Sequence, residues 1–557
     1  MAVVISSEER IPIDEPFKVS AGPGAGKTHW LIGHIRDVIA HSKRLGAVKK
    51  VACITYTNVG TDTISRRLRY DNDCVEVATI HSFLFANVVK PYAYLVAKEI
   101  GLKTEGLIVV DESNYMSQGL AYDLLSSMGK AWIDAELFSV ALSRCRWHYD
   151  NHQFVGFKPK YAQPAQNRKK AYKIPNEAYL GFKKHLWAQG ELSYDDILYV
   201  SWLIFGKYPQ AYKLLQARYP YFFVDEFQDT IPFVVDFLQR MGNEGTIVGV
   251  VGDKAQAIYE FVGATARQFD DFTVPGMQEY EIHGNRRSTL QIVNLLNAIR
   301  AEFQQDHLSG LTGEEPVLLV GDMLDCYQRS LEKSGTEDVR SLAFPNIIAN
   351  SMRTRNGVRA ADNILDEDFD NDQTRQYVVK ALLKAVEYAR MSDLRNAWHQ
   401  MDMIDDDRTK SIVLLRRLLT GYDQFAGGTL MDFYRFVNGQ LGLGLKGFRS
   451  GASKTFYETH NYRDAALGVK GADVDTKHKT IHKSKGDEFD NVFVVLNDES
   501  DLAFMTAPKL DDEVAHRVYY VGISRAIQRL YVNTPTLSAE SEAQIMEKNL
   551  PIRVERI

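Results

Sequence analysis

The stretch 17-FKVSAGPGAGKTHWLIGHI-35 decides the fold. An apolar run, Phe17–Ser20, leads into Ala21, Gly22, Pro23, Gly24, Ala25, Gly26, Lys27 and Thr28, and a helical pattern follows. A strand that turns through glycines into a helix, with Gly-Lys-Thr at the turn, is a P-loop. Gly24 and Gly26 let backbone N–H groups turn inward with no Cβ in the way of a phosphate. Lys27 supplies a point charge for the β- and γ-phosphates, and the Thr28 hydroxyl a ligand for Mg²⁺. The helix that begins near Lys27 aims its positive end at the same anion. Ala21 stands where the general pattern has glycine.

Such a loop needs an acidic partner at the end of a neighbouring strand, and 219-YPYFFVDEFQDT-230 supplies one. Four apolar residues, Tyr221–Val224, end in Asp225 and Glu226. Asp225 is placed to hold Mg²⁺ through water, and Glu226 to orient and deprotonate an attacking water. An Asp-Glu pair by itself reads as a helix cap or a solvated turn. Beside a P-loop, and followed by Gln228 and Asp229, it reads as catalytic.

Working outward, further short apolar runs at Val51–Thr55, Ile247–Val251, Val492–Leu496 and Leu530–Val532 read as buried parallel strands. Helical patterns lie between them, so the fold class is α/β, with doubly wound parallel sheets and chemistry at the carboxyl ends of the strands. The runs form an early and a late group, which predicts two such cores. The stretches 84–190 and about 350–470 read as mostly helical insertions. The first contains a basic segment, 144–185, with ten Lys/Arg against Asp150 and Glu177 and with aromatics interleaved. It is expected on the path of a nucleic acid, where it would carry much of the salt dependence of binding. The alternative is a solvated helix face.

Composition bounds the rest. The chain has 557 residues, 66 Lys+Arg against 72 Asp+Glu, and a net charge of −6, which excludes a histone-like basic protein. Cys53, Cys74, Cys145 and Cys326 form no C-x-x-C pair, so neither a zinc ribbon nor a disulfide framework is expected. No 18-residue apolar run and no signal peptide is visible, so a cytoplasmic setting away from membranes is expected. GLGLKG at 442–447 fits a dinucleotide pattern but follows a helical run and no strand, so it is set aside.

At this point the motifs resemble a family. GPGAGKT and VDEFQDT are similar to motifs I and II of superfamily 1A helicases, the UvrD/Rep/PcrA group. ITYTN (54–58), TIHSF (79–83), GELSYDDIL (190–198), VGDKAQAIYEFVGA (251–264), GNRRST (284–289), TIHKSKGDEFDNVFVV (480–495) and VYYVGISRAIQRLYV (518–532) resemble the remaining motifs in order. The resemblance implies two RecA-like domains: the first from 1–88 and 188–280, the second from 281–350 and 470–557. It places helical insertions at 89–187 and 351–469. It implies that Gln256 senses the γ-phosphate, that Arg287 and Arg525 reach it from the second domain, and that Glu488 meets the nucleotide sugar. It implies that Tyr56, Tyr259 and Phe261 stack on or wedge bases, and that Thr57, Asn58, His81 and His482 touch the strand's backbone.

The implied function is ATP- and Mg²⁺-dependent 3′-5′ translocation on single-stranded DNA with unwinding of tailed duplexes. The alternative is a nucleic-acid-sensing ATPase subunit that regulates a partner nuclease, similar to the helicase subunit of Gabija anti-phage systems beside an OLD-family nuclease. The chain departs from the family pattern in three places. Residues 1–20 hold no Gln to read adenine, motif III reads Phe261-Val262-Gly263-Ala264 in place of Trp-Arg-Gly-Ala, and Asp487 replaces an apolar residue in motif V.

Overall fold

The computed structural model describes residues 2–557 except 69–72, 111–117, 134, 144, 160–173, 261–262, 264–265, 337, 360–362, 405–406 and 470–476. Two large parallel sheets organise it. The first is built from β1 (Val3–Val4), β2 (Phe17–Ala21), β3 (Val51–Thr55), β4 (Val75–Thr79), β5 (Tyr221–Val224), β6 (Ile247–Gly252) and β7 (Gln278–Ile282), in the order β1-β7-β2-β6-β5-β3-β4. Its central strands FKVSA, VACIT, YFFV and IVGVVG are almost wholly buried. Helices cover both faces, so both faces must be apolar.

Register then sets the site. Gly252 lies opposite Ser20, Val250 opposite Val224, and Ile54 opposite Val224. The carboxyl ends of β2, β6, β5 and β3 therefore share one rim, which carries the P-loop, Asp253, Asp225 and Tyr56. This is the edge where open α/β sheets bind ligands.

The second sheet is built from β8 (Val317–Val320), β9 (Val339–Ala343), β10 (His478–Thr480), β11 (Phe489–Val495), β12 (Ala526–Thr534) and β13 (Arg553–Arg556). Its order is β10-β9-β11-β12-β8-β13, again all parallel. The turn between β10 and β11 carries His482, Lys485 and Glu488. The helix Val514–Ile523 delivers Ser524 and Arg525 to the start of β12.

The stretch between β4 and β5 contains helices, as its pattern predicts, and also an antiparallel hairpin, Cys145–Asp150 with Gln153–Pro159. Its reversal uses Asn151 and His152, both in the left-handed region at φ 45° and 62°. The hairpin is anchored by Trp147. Its ring stacks on Tyr199 at 4.0 Å, and its Nε1 donates to Asp196 Oδ1 at 2.7 Å. Lys183 closes the same buried network on Asp196 Oδ1 at 2.9 Å. Arg168, Lys169 and Lys170 of the basic segment lie outside the described residues.

The stretch between β9 and β10 is helical and has its own core around Leu382, Phe425, Phe433, Tyr457 and Tyr462. Part of its acidic run is structural: Asp370 is buried and pairs with Arg375, also buried, at 2.5 Å. Among the described residues no helix is long and apolar enough to cross a membrane.

Candidate functional site

The P-loop is shaped by two left-handed glycines, Gly24 at φ 70° and Gly26 at φ 83°. At Gly24 a Cβ would come within 2.7 Å of Asn285 Oδ1 and 2.9 Å of Arg287 Cβ, so this position must be glycine for two reasons. The loop crest is already tied to the chain beyond the first sheet. Asn285 Nδ2 and Gln305 Nε2 donate to the Pro23 carbonyl at 3.1 and 2.8 Å. The Arg286 amide donates to the Gly24 carbonyl at 2.9 Å. Lys27 heads the helix Lys27–His41, and its buried Nζ donates to the Ala21 carbonyl at 3.2 Å.

Thr28 Oγ1 donates to Asp225 Oδ2 at 2.9 Å, so the two expected Mg²⁺-binding residues face each other. Burial and the neighbouring Glu226 push the Asp225 carboxyl up to about 6. Burial also acts on Glu226, but the Lys27 and Lys485 ammoniums outweigh it and hold this carboxyl below its ordinary value. The pair is therefore split, with Glu226 the ionised member. Glu226 occupies the left-handed region at φ 56°, a backbone conformation that costs energy in a non-glycine residue. Gln228 Nε2 steadies its carboxylate at 2.5 Å, while Gln228 Oε1 accepts from the Asp253 amide at 3.0 Å.

The second sheet closes the cleft. Arg525 is 3% exposed, and its Nη2 donates to Gln256 Oε1 at 3.1 Å. Burial and the neighbouring Arg287 guanidinium push Arg525 down to about 9. An always-charged guanidinium under that stress marks a place short of negative charge. Lys27, Arg287 and Arg525 therefore form a pocket whose chemistry fits a triphosphate, and the Thr28–Asp225 pair fits the hard oxygen coordination of Mg²⁺. Arg287 Nε donates to Glu488 Oε2 at 2.8 Å and Nη1 to the Ser524 carbonyl at 3.2 Å. Glu488 thus stands beside the arginine in this structure, and its side chain is 56% exposed at the mouth of the cleft.

Motif reading overlooked several residues that hold this arrangement. Asp253, 1% exposed, binds Arg300 Nη1 at 2.7 Å and Gln256 Nε2 at 2.7 Å. Burial disfavours its charge, but Arg300 overcomes this and the carboxyl lies below its ordinary value. Asn285 and Gln305, which tether the P-loop, were also unassigned. The available signal was position: Asp253 directly follows β6, three residues before Gln256. Gln305 carried none.

On the other side of the rim, Tyr56 and Tyr259 meet ring to ring, with centroids 4.8 Å apart and planes at 32°. Tyr259 OH donates to the His482 carbonyl at 3.1 Å, and the His482 ring nitrogen meets the Ile258 carbonyl at 3.2 Å. These two residues pin the second sheet's motif turn to the first. Thr57 caps the helix Asn58–Arg67 by accepting from the Gly60 amide at 3.0 Å, and Asn58 is exposed at its first turn. Phe261 lies outside the described residues.

Tyr56 also borders a cavity of about 330 Å³ at the carboxyl ends of β3 and β5. Ile54, Val224 and Ile231 give it apolar walls, and His81, Arg146 and Tyr194 line it toward the insertion. Asp225 and Glu226 form its floor, so the two halves of the site share a wall. His81 sits edge-on to Tyr194 at 5.7 Å, and burial lowers its pKa. Arg146 was not singled out as a cavity residue; it arrives on the hairpin, which the helical reading did not anticipate.

Comparison with known proteins agrees with this geometry. The UvrD/REP helicase N-terminal domain matches residues 7–275, and the UvrD-like helicase C-terminal domain matches residues 475–536. ATP-dependent DNA helicase PcrA of Staphylococcus epidermidis is 23% identical over 58% of this chain and 43% of its own length. DNA helicase II of Rickettsia typhi is 22% identical over 95% of this chain and 91% of its own. Gabija protein GajB of Bacillus cereus is 23% identical over 50% of this chain and 46% of its own. The match to PcrA thus spans less than half of that relative's length. Two parallel sheets, with motif residues of both converging on one cleft, and two family matches in chain order lead to one conclusion: the chain belongs to the UvrD/REP helicase family.

Proposed function

We propose that the chain is a DNA-stimulated ATPase that moves 3′-5′ along single-stranded DNA and unwinds tailed duplex. The observation that carries this reading is the cleft itself: Lys27, Asp225 and Glu226 from the first sheet lie in one space with Arg525 from the second, linked through Gln256. ATP would sit with its β- and γ-phosphates between Lys27 and the two arginines. Thr28 and Asp225 would hold Mg²⁺, which supplies charge neutralisation on the phosphate oxygens. Glu226 is ionised and steadied by Gln228, and it takes the proton of the attacking water. Arg287 exchanges Glu488 for phosphate, and Arg525 stabilises charge as the bond breaks; an arginine in this role contributes roughly 10³–10⁵ in rate.

The strand would cross the Tyr56–Tyr259 pair, with bases stacking there or entering the cavity beside His81. Stacking is indifferent to sequence because every base has a π-face. Closing the two cores on ATP repositions the second core's His482 turn against Tyr259, and repeated closure becomes stepping. Under this reading the first domain comprises 1–88 and 188–280, the second 281–350 and 470–557, with insertions at 89–187 and 351–469.

Two assays test it. ATP hydrolysis is measured with and without single-stranded DNA for wild type and Lys27→Ala, and strand displacement on a 3′-tailed duplex. Stimulated hydrolysis lost in Lys27→Ala, with displacement, is the expected result. Hydrolysis that ignores DNA refutes it. A second reading, an ATPase subunit that regulates a partner nuclease, is favoured by the likeness to GajB and by the altered motif III. Stimulated hydrolysis without displacement, together with a co-purifying nuclease, would select it.

A further inference from the structure

Lys485, whose charge helps hold Glu226 ionised, also makes direct contacts that reach across the site. It belongs to the second core, in the turn between β10 and β11. Its side chain is only 5% exposed, and its ammonium pairs with Asp229, whose side chain is fully buried in the first core. The same Nζ donates to the Gln256 carbonyl at 2.8 Å. It also lies 5.1 Å from the centroid of the Tyr259 ring. One buried cation thus joins the segment after Glu226, the residue that binds Arg525, and the aromatic pair at the strand path. A charge buried this deeply is costly unless each partner is in place, and losing one partner leaves the other uncompensated. The contact therefore tolerates one arrangement of the two cores and resists intermediate ones.

We propose that Lys485 is a positioning residue that makes hydrolysis depend on the strand: a base seated at Tyr259 fixes the ring beneath the ammonium, the ammonium fixes Asp229 and the Gln256 backbone, and the catalytic groups align. Its contacts are with Asp229, the Gln256 carbonyl and the Tyr259 ring, and its charge acts on Glu226, so its effect is on how the strand is coupled to the chemical step rather than on strand binding. The inference rests on the DNA-stimulated ATPase reading above.

The test measures turnover with and without single-stranded DNA, and strand affinity without nucleotide, in wild type, Lys485→Met, Lys485→Arg and Asp229→Asn. Lys485→Met is expected to keep strand affinity within about threefold and to lower the ratio of turnover with strand to turnover without it at least tenfold. Lys485→Arg is expected to recover part of it, because a cation is restored. If Lys485→Met does not fold, Asp229→Asn, which keeps the shape and removes the ion pair, is expected to show the same loss. Wild-type stimulation in the folded variants overturns the proposal, as does an equal fall in DNA-free and stimulated turnover. If wild type itself ignores DNA, the underlying reading fails instead, so the two failures are told apart.

Discussion

Gln256 spans the two cores with both ends of its amide: Oε1 accepts from Arg525 Nη2 at 3.1 Å, and Nε2 donates to Asp253 Oδ2 at 2.7 Å. Its orientation is fixed by chemistry, since arginine only donates and a carboxylate only accepts. Removing it frees Arg525 without removing the arginine's charge. Gln256→Ala is therefore expected to lower kcat by about 10–100-fold, less than Arg525→Ala, which forfeits roughly 10³-fold or more. The double variant should cost less than the product of the two, because both act through one contact. A strictly multiplicative cycle in steady-state hydrolysis would show that the two residues work separately.

Under the proposed function, Asp225 is expected to set the acid limb of hydrolysis. Burial and Glu226 push it to about 6, while Glu226 stays ionised well below that pH. Above pH 6 Asp225 is a carboxylate and can hold Mg²⁺; below it the proton occupies the same oxygen. Apparent Mg²⁺ affinity, read from ATPase titrations, should weaken by about tenfold per pH unit below the limb, and excess Mg²⁺ should move the limb to lower pH. An acid limb indifferent to Mg²⁺ would assign it to another group.

The tyrosine pair carries the strand prediction. Tyr259→Ala removes one ring of the 4.8 Å pair and leaves the phosphate pocket intact. Loss of a stacked base costs roughly 1–3 kcal/mol, so the Kd for fluorescein-labelled oligothymidine should rise by about 5–150-fold at fixed salt. Half-saturation by ATP without DNA should stay within about threefold. Unchanged anisotropy titrations would place the bases elsewhere.

His34 gives a stability prediction free of the reaction. It is 1% exposed and stacks on Trp30 at 5.4 Å, and neither ring nitrogen finds a hydrogen-bond partner among the described residues. Burial and the nearby Arg10 charge lower it to about 4. The folded pKa lies below the unfolded one, so the folded state is stable above about pH 6.5 and loses stability as pH falls toward 4. At about 1.36 kcal/mol per unit, this group accounts for roughly 2–3 kcal/mol across that window. His34→Leu should flatten the dependence in urea melts between pH 7.5 and 4.5. A slope equal to wild type would exclude His34 as its source.

The sequence revealed the residues that must be particular chemical types at fixed short spacings. The glycines of the P-loop, Asp225 with Glu226 after four apolar residues, and Arg525 at the head of β12 are set by local geometry, and each stands at the cleft. Less visible were residues whose partners are remote in sequence. Asn285 and Gln305 bind Pro23 across roughly 260–280 positions, and Lys485 reaches Asp229 across 256. No periodicity announces such contacts. The hairpin at Cys145–Pro159 was hidden for another reason: its Trp147 and Phe157 pack inward beside interleaved charges, which a basic surface helix would also display. Arg287 was legible as a cleft residue, but its pairing with Glu488 was not.

The tether on the Pro23 carbonyl bears on timing. Asn285 and Gln305 grip the crest of the loop from outside the first sheet, as a latch grips the lip of a lid. Under the proposed function, a spent nucleotide held beneath that crest would be released only as the latch lets go. Egress of product, rather than cleavage, would then be the slow beat of each cycle, and loosening the latch with Gln305→Ala is expected to hasten the rhythm while weakening the grip.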